Sequence, residues 1–243
     1  MRRAVMFAFV IAASVALGAV TDTIPATGGN IEVTPIAHAT VQIEHGGKVI
    51  VVDPAPPADV SKAKQADLVV ITDIHPDHLD VASLGKVRKS GAPIVIPSAA
   101  KNQVSDGTVI ANGETKTVAG VSIEAVPMYN LQRGPSAGQL YHDKGRGNGY
   151  VITLGGKRLY FAGDTECTPE MKALKNIDVA FVPMNLPYTM TPAEAAECVK
   201  TFKPKIVYPY HFRGQKPEEF AAALKGESID VRIRDWYPAA PSR

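Results

Sequence analysis

Asp73-Ile74-His75-Pro76-Asp77-His78 is the most informative segment of this chain. It directly follows residues 68–72, a continuous apolar run that is typical of a strand buried on both faces. Four side chains that can bind a metal ion are therefore expected on one loop at the carboxyl end of that strand. Imidazole and carboxylate both suit Zn(II), and carboxylate also suits Mn(II). The alternative is a solvated turn, because Pro-Asp pairs also occur in ordinary turns.

The composition is that of one globular domain. Of the 243 residues, 45% are hydrophobic and 21% are charged, which excludes a disordered chain. The formal net charge of +2 does not supply the basic surface that nucleic-acid binding needs, so we expect no nucleic-acid partner. The two cysteines, Cys167 and Cys198, are too few for a disulfide scaffold, and the sequence leaves open whether they pair. It also leaves the oligomeric state open.

The N-terminal segment has the features of an export signal. Arg2 and Arg3 precede an uncharged run over residues 4–20, which is short for a transmembrane helix but fits the apolar core of a secretory signal. We therefore expect residues 1–19 to be a signal peptide, with an uncleaved N-terminal anchor as the alternative. In both cases the protein is exported and is periplasmic or secreted. It contacts a membrane only if this segment is retained.

Residues 20–30 are rich in Thr and Gly, which predicts a linker ahead of a domain over residues 31–243. In this domain short strands give way to alternating strands and helices, and the same succession then repeats. Strands are expected at residues 31–35, 40–44, 49–53, 68–72, 93–96, 116–118, 121–127, 149–154, 158–162, 179–183, 206–208 and 231–233. Helices are expected at residues 79–89, 192–202 and 217–224, the second after a capping box at Thr191-Pro192-Ala193-Glu194. The repeated succession predicts an α/β protein in which two sheets pack together with helices outside.

Further motifs follow in the order that identifies a known family. Phe161-Ala162-Gly163-Asp164-Thr165 and Tyr208-Pro209-Tyr210-His211 each lie at the end of a predicted strand. Together with the first loop they make residues 31–243 resemble the metallo-β-lactamase superfamily, whose signature is His-x-His-x-Asp-His, then a lone His, a Gly-Asp and a final His. Ala37-His38-Ala39-Thr40 and Val51-Val52-Asp53-Pro54 resemble the branch that contains ascorbate-phosphate lactonases and N-acyl-phosphatidylethanolamine phospholipase D. The resemblance implies a four-layer αββα sandwich with the site at one edge of the two sheets.

The resemblance also implies a set of metal ligands and two divalent cations, Zn or Mn, with Fe as a further option. One ion would be held by Asp73, His75 and His142, the other by Asp77, His78 and His211, with Asp164 between them. Asp73 departs from the signature because it replaces the first His. An added carboxylate makes the site harder and more negative, which favours Mn(II) or Fe(II) over Zn(II). The alternative is a site that holds a single metal ion.

The middle ligand is the second departure from the family pattern. Asn130 stands where many relatives have the middle His, whereas His142 lies shortly before the next predicted hairpin. An amide is a poor substitute for imidazole, so we prefer His142 as the ligand and expect Asn130 to orient a ligand from behind. His38 is expected to support the ligands in the same way, with a core or surface position as the alternative.

The reaction that this resemblance implies is hydrolysis. Two cations share a hydroxide that is nucleophilic near neutral pH and that cleaves an ester, lactone or phosphodiester in a small-molecule substrate. Asp77 or Asp164 would pass a proton to the leaving group. The alternatives are β-lactamase activity and a non-catalytic metal-binding or scaffold protein of the same fold. Four residues are candidate substrate contacts, with ordinary solvated or packed side chains as the alternative: Lys144, Arg146, Tyr188 and Arg213.

Overall fold

Two seven-stranded sheets form the centre of the structure, a computed structural model that describes residues 20–237. In both sheets the spatial order of the strands follows the chain, with antiparallel pairs first and parallel pairs after them. The first sheet contains β1 (Asp22–Ile24), β2 (Ile31–Ala37), β3 (Thr40–His45), β4 (Lys48–Val52), β5 (Leu68–Val70), β6 (Ile94–Ile96) and β7 (Thr108–Val109). The second contains β8 (Thr115–Val118), β9 (Val121–Met128), β10 (Gly147–Leu154), β11 (Lys157–Phe161), β12 (Val179–Pro183), β13 (Ile206–Tyr210) and β14 (Asp230–Val231).

The core between the sheets follows from the alternation of side chains along each strand. In β5, Val70 faces the second sheet while Val69 faces the outer helices, so this strand is apolar on both faces. From the other side, three aromatic rings of the second sheet stack in a row. The centroids of Phe161 and Phe181 lie 4.5 Å apart, and those of Phe181 and Tyr208 lie 4.9 Å apart. This apolar layer holds the sheets together and leaves their strand ends free to carry a site.

Helices cover the outer face of each sheet. The first sheet is covered by α1 (Val81–Val87) and by 3-10 helices at Val60–Lys62 and Ser98–Asn102. The second is covered by α2 (Pro169–Lys172), α3 (Pro192–Phe202) and α4 (Pro217–Ala223). The predicted capping box begins α3, because Thr191 Oγ1 accepts from the Glu194 N–H at 3.1 Å and Glu194 accepts from the Thr191 N–H at 2.7 Å. These layers confirm the predicted αββα sandwich.

The structure differs from the linker prediction for residues 20–30. Three of these residues form β1, which pairs with β2 at the edge of the first sheet. Asp22 accepts hydrogen bonds from Arg234 at 2.6 and 2.8 Å and from Tyr208 Oη at 2.9 Å. The partners that order this strand lie close to the other end of the chain, so local composition does not reveal them. The predicted signal peptide, residues 1–19, lies outside the described residues, and no helix within residues 20–237 is long and apolar enough to cross a membrane.

Cys167 and Cys198 form a disulfide, which the sequence left open. Their Cα atoms lie 5.7 Å apart, and the bridge joins the segment after β11 to α3. It closes a stretch of chain with a sequence separation of 31 residues. The bridge therefore ties the strand end that carries Asp164 to the helix that packs behind it.

Replacing both cysteines with serine should lower the free energy of unfolding by about 3 to 4 kcal/mol, because a loop of this length is no longer closed in the unfolded chain. Urea denaturation of Cys167→Ser/Cys198→Ser against the oxidised wild type measures the change. As a control, a reductant should destabilise the wild type by a similar amount and leave the variant unaffected. Equal stability of the oxidised and reduced wild type would contradict this expectation.

Candidate metal centre

The candidate metal centre lies where parallel strands of the two sheets end. Asp73 follows β5, while Asp164 and His211 follow β11 and β13. The carboxyl ends of parallel strands meet at one edge of a sheet, so these side chains come together although they are distant in sequence. Gly163 makes the turn before Asp164 with a φ of 66°, and a Cβ atom there would clash with the sulfur of Met128. Glycine at this position lets the chain bring Asp164 into the centre.

Three histidines converge on the carboxylate of Asp164. Nε2 of His78 and Nε2 of His142 each lie 3.4 Å from Oδ2, and Nε2 of His211 lies 3.4 Å from Oδ1. All four side chains are buried, and within the described residues the three Nε2 atoms and Oδ1 have no hydrogen-bond partner. Buried polar atoms in proteins nearly always have a partner. Nitrogen and oxygen atoms that converge in this way are a fitting donor set for a divalent cation.

Asp53 fixes the orientation of His78 from behind. Its Oδ2 lies 2.8 Å from His78 Nδ1, and the carboxylate also accepts from the Thr72 N–H at 2.7 Å and from Thr72 Oγ1 at 2.5 Å. A carboxylate at Nδ1 keeps the proton on that nitrogen and turns the Nε2 lone pair toward the centre. Asp53 was not among the predicted site residues. The feature of the sequence that could have identified it is its position directly after β4, because β4 is the parallel neighbour of β5 and the two strands end at the same edge of the sheet.

Asn130 fixes the orientation of His142, as Asp53 does for His78. Its Oδ1 lies 2.6 Å from His142 Nδ1 and accepts from the His142 N–H at 2.9 Å, while its Nδ2 donates to the Tyr188 carbonyl at 2.8 Å. An acceptor at Nδ1 places the imidazole proton there and leaves Nε2 facing Asp164. In the structure, His142 Nε2 therefore faces Asp164, and Asn130 contacts the opposite nitrogen of the same ring, Nδ1. The ligand role of His142 stays a prediction.

Asp77 and His38 lie on the open side of the centre. Asp77 Oδ2 is 3.5 Å from His211 Nε2 and 2.9 Å from His38 Nε2, and the Asp77 side chain is 36% exposed. His38 Nδ1 is 2.7 Å from Tyr237 Oη. Burial lowers the pKa of His38 to about 4, so this histidine is neutral near pH 7. His38 therefore supports Asp77 through a neutral hydrogen bond.

The electrostatics of the buried centre favour positive charge. Burial alone would raise the pKa of Asp164, but His211 and His78 outweigh it and hold the pKa well below its usual range. Burial would likewise lower the pKa of His78, but the charges of Asp164 and Asp53 outweigh it and raise the pKa well above its usual range. A divalent cation would meet the same negative field that favours a proton here.

Asp73 has a different environment from Asp164. Its Oδ2 lies 3.1 Å from His75 Nδ1 and 4.0 Å from His142 Nε2, so these three predicted ligands are close together. However, Arg146 donates to both oxygens of this buried carboxylate, through Nε at 3.2 Å and through Nη2 at 2.6 Å. Asp73 is therefore already paired within the protein, whereas Asp164 faces histidine nitrogens.

The structure does not bring the other candidate substrate contacts into the centre. Lys144 Nζ pairs with Glu170 at 2.5 Å and lies over the ring of Tyr129. Arg213 is exposed. Its backbone N–H donates to Tyr237 Oη at 2.9 Å, and its side chain has no hydrogen bond or ion pair with the part of the chain that the structure describes. Tyr188 is 42% exposed at the rim, where its ring packs against another tyrosine, Tyr141. Among the three positively charged candidate contacts, Lys144, Arg146 and Arg213, it is Arg146 whose side chain contacts a predicted ligand, Asp73.

Comparison with known proteins places the chain in a family. Residues 32–211 match the family model described as a beta-lactamase superfamily domain. Over 222 residues the chain is 34% identical to a UPF0173 metal-dependent hydrolase of Thermococcus kodakarensis, an alignment that covers 84% of this chain and 96% of the relative. A similar hydrolase of Pyrococcus abyssi is 33% identical over 223 residues, with 84% and 96% covered.

Solved structures agree with the sequence matches. A candidate metal-dependent hydrolase from Parabacteroides distasonis is 41% identical and superposes with a TM-score of 0.84, over 90% of this chain and 99% of that one. A metallo hydrolase from Ignicoccus hospitalis is 26% identical with a TM-score of 0.68, over 84% of this chain and 94% of that one. The chain therefore belongs to the metallo-β-lactamase superfamily.

Proposed function

We propose that this protein is an exported metal-dependent hydrolase that cleaves an ester, lactone or phosphodiester bond in a small-molecule substrate. The proposal depends above all on the convergence of three buried histidine Nε2 atoms on the carboxylate of Asp164, each at 3.4 Å. Relatives in Thermococcus kodakarensis and Pyrococcus abyssi are named as metal-dependent hydrolases, which supports the same reaction class here. The first-hairpin motifs favour a lactone or phosphodiester over a β-lactam.

A divalent cation is the group that these residues would hold. His78, Asp164 and His211 offer ligand atoms that all lie within 4.8 Å of one another, and His142 approaches the same carboxylate. Imidazole and carboxylate suit Zn(II) and Mn(II), and Fe(II) is a third candidate. When bound, such a cation supplies an activated water and positive charge for the oxyanion that develops during hydrolysis.

Asp77 is well placed to move a proton. Its partly exposed carboxylate lies between His211 and His38. Burial alone would raise the pKa of Asp77, but hydrogen bonds from these two histidines outweigh it and hold the pKa below its usual range. Asp77 is therefore ionised near neutral pH. A pKa this low makes it a weak base, so it accepts the proton only as the bond to the substrate forms and then gives it readily to the leaving group. His38 holds the carboxylate in place while this happens.

A cavity lined in part by Tyr141 has the size of a small-molecule site. Its volume is about 430 Å³, within the range of small-molecule sites. None of the predicted ligands lines it, but one lining residue, Tyr141, directly precedes His142 and accepts from Arg146 Nη1 at 2.9 Å through its carbonyl. The lining combines apolar and aromatic surface with few polar groups: Gln132, Arg133, Gly134, Tyr141, Leu186 and Pro187. We infer that the cavity receives the part of the substrate that does not react.

Export is supported by two independent features. The first is the uncharged run that follows Arg2 and Arg3. The second is the disulfide between Cys167 and Cys198, since such bonds persist in oxidising compartments outside the cytoplasm. Cell fractionation tests this part of the proposal, and a protein found only in the cytoplasm with reduced cysteines would contradict it.

Removing the metal tests the reaction class. Protein treated with a chelator and desalted should lose nearly all hydrolysis of a panel of lactones, p-nitrophenyl phosphodiesters and nitrocefin. Adding Mn(II) or Zn(II) should restore activity toward at least one lactone or phosphodiester, because the cation supplies the activated water. Activity toward nitrocefin alone would favour the β-lactamase alternative. Metal uptake without turnover of any substrate class would favour the non-catalytic alternative.

A further inference from the structure

Arg146 forms an unusual contact for a residue beside a candidate metal site. Its guanidinium donates two hydrogen bonds to the buried carboxylate of Asp73, from Nη2 at 2.6 Å and from Nε at 3.2 Å. Nη1 donates to the Tyr141 carbonyl at 2.9 Å. Nη2 also lies 3.2 Å from Nε2 of His75. A guanidinium keeps its charge at any physiological pH, and its planar fork matches a carboxylate. The positive charge beside Asp73 and His75 is therefore permanent.

The centre consists of two groups of predicted ligands, one around Asp73 and His75 and one around His78 and His211, and the two groups differ in charge. In the group formed by Asp73, His75 and His142, the one carboxylate is paired with Arg146, although His142 Nε2 also lies 3.4 Å from Asp164 Oδ2. Around His78 and His211 the carboxylates are those of Asp53, Asp77 and Asp164, and within residues 20–237 none of these three pairs with a lysine or arginine. A divalent cation is attracted to the second group, whereas at the first it would meet a guanidinium and compete with it for the same oxygens.

We propose that the guanidinium of Arg146 takes the place of one of the two predicted cations. The chain then binds one divalent cation tightly, at His78, Asp164 and His211, and binds none of comparable affinity at Asp73 and His75. This inference rests on the proposed function only in requiring a cation at the centre. It also explains why an aspartate stands where the family signature has a histidine, because a histidine at position 73 would offer Arg146 no carboxylate to pair with.

Metal stoichiometry tests the proposal. Full-length protein is stripped with a chelator, reloaded with excess Mn(II), desalted and analysed by mass spectrometry for bound metal, with electron paramagnetic resonance to distinguish isolated from coupled ions. The wild type should retain about one equivalent with the spectrum of isolated Mn(II). Arg146→Gln should retain close to two, with a coupled spectrum. Arg88→Gln is the matched control, because it removes an Arg–Asp pair at the surface, and it should stay at one.

Two further variants keep the test independent of folding problems. Arg146→Gln leaves Asp73 as a buried, unpaired charge, which is destabilising. The double variant Asp73→His/Arg146→Gln removes that charge and offers a neutral ligand in its place. It should also bind two equivalents. Arg146→Lys keeps a positive charge and should remain at one. A wild type that retains two equivalents, or Arg146→Gln and the double variant both remaining at one, would overturn the proposal. A wild type that binds no cation would contradict the proposed function itself.

Discussion

Asp164→Asn should abolish tight metal binding and reduce kcat/KM by at least about 100-fold, since changing residues that merely support metal ligands already costs roughly 10- to 100-fold. Asp164 is the buried carboxylate on which Nε2 of His78, His142 and His211 converge. An amide removes the negative charge that attracts a cation and replaces one oxygen with a donor group. Metal analysis after desalting and assays on the lactone and phosphodiester panel measure the two effects.

The stability of the protein gives a second readout of the same change. A cation present at about 100 times its Kd should stabilise the wild type by about 2.7 kcal/mol and the Asp164→Asn variant by almost nothing. Asp178→Asn is the control, because Asp178 is also a buried carboxylate but lies at the amino end of β12, where it accepts from Arg158 and Lys205. Activity and metal-induced stabilisation that survive Asp164→Asn would mean that the centre lies elsewhere.

Much of the fold could be predicted because its signals are local. The apolar run of β5 predicts a strand covered on both faces, and the capping box at Thr191 and Glu194 marks the start of α3. Parallel strands then bring their carboxyl ends to one edge, so motifs that end strands predict a common site. Asp164 and His211 come together for this reason, although they lie on separate loops of the second sheet. Asp73 follows a strand of the first sheet and is linked to Asp164 through His142, whose Nε2 lies 4.0 Å from Asp73 and 3.4 Å from Asp164.

What could not be predicted depends on partners that are distant in sequence. The strand β1 is ordered by Arg234 and by pairing with β2, so the composition of residues 20–30 suggests only a linker. Arg146 is one charged residue in a glycine-rich loop, and its sequence neighbours do not show that it reaches Asp73 rather than solvent. The sequence can therefore name ligand candidates, but the balance of charge around each one depends on the folded chain.

Asp53→Asn should weaken metal binding by about 10- to 100-fold, with a similar loss of kcat/KM. In the wild type, one oxygen of Asp53 accepts from the Thr72 N–H and the other from the imidazole of His78. The single oxygen of an amide is required by the Thr72 N–H, so its NH₂ group must face His78 Nδ1. That contact forces the imidazole proton onto Nε2, the atom that faces Asp164, where it blocks a cation.

The variant thus separates the protonation of His78 from its position. Competition with a chelating dye measures the affinity. Nitrogen NMR of the metal-free protein, at a pH above the raised pKa of His78, reports which nitrogen of the neutral imidazole carries the proton, a property that a merely structural role would not change. Asp67→Asn is the matched control, because Asp67 also accepts from a backbone N–H, that of Val49, but lies at the amino end of β5. The control should bind metal like the wild type. Unchanged affinity in Asp53→Asn, with the proton still on Nδ1, would show that Asp53 does not set the orientation of His78 and that another contact fixes this ligand.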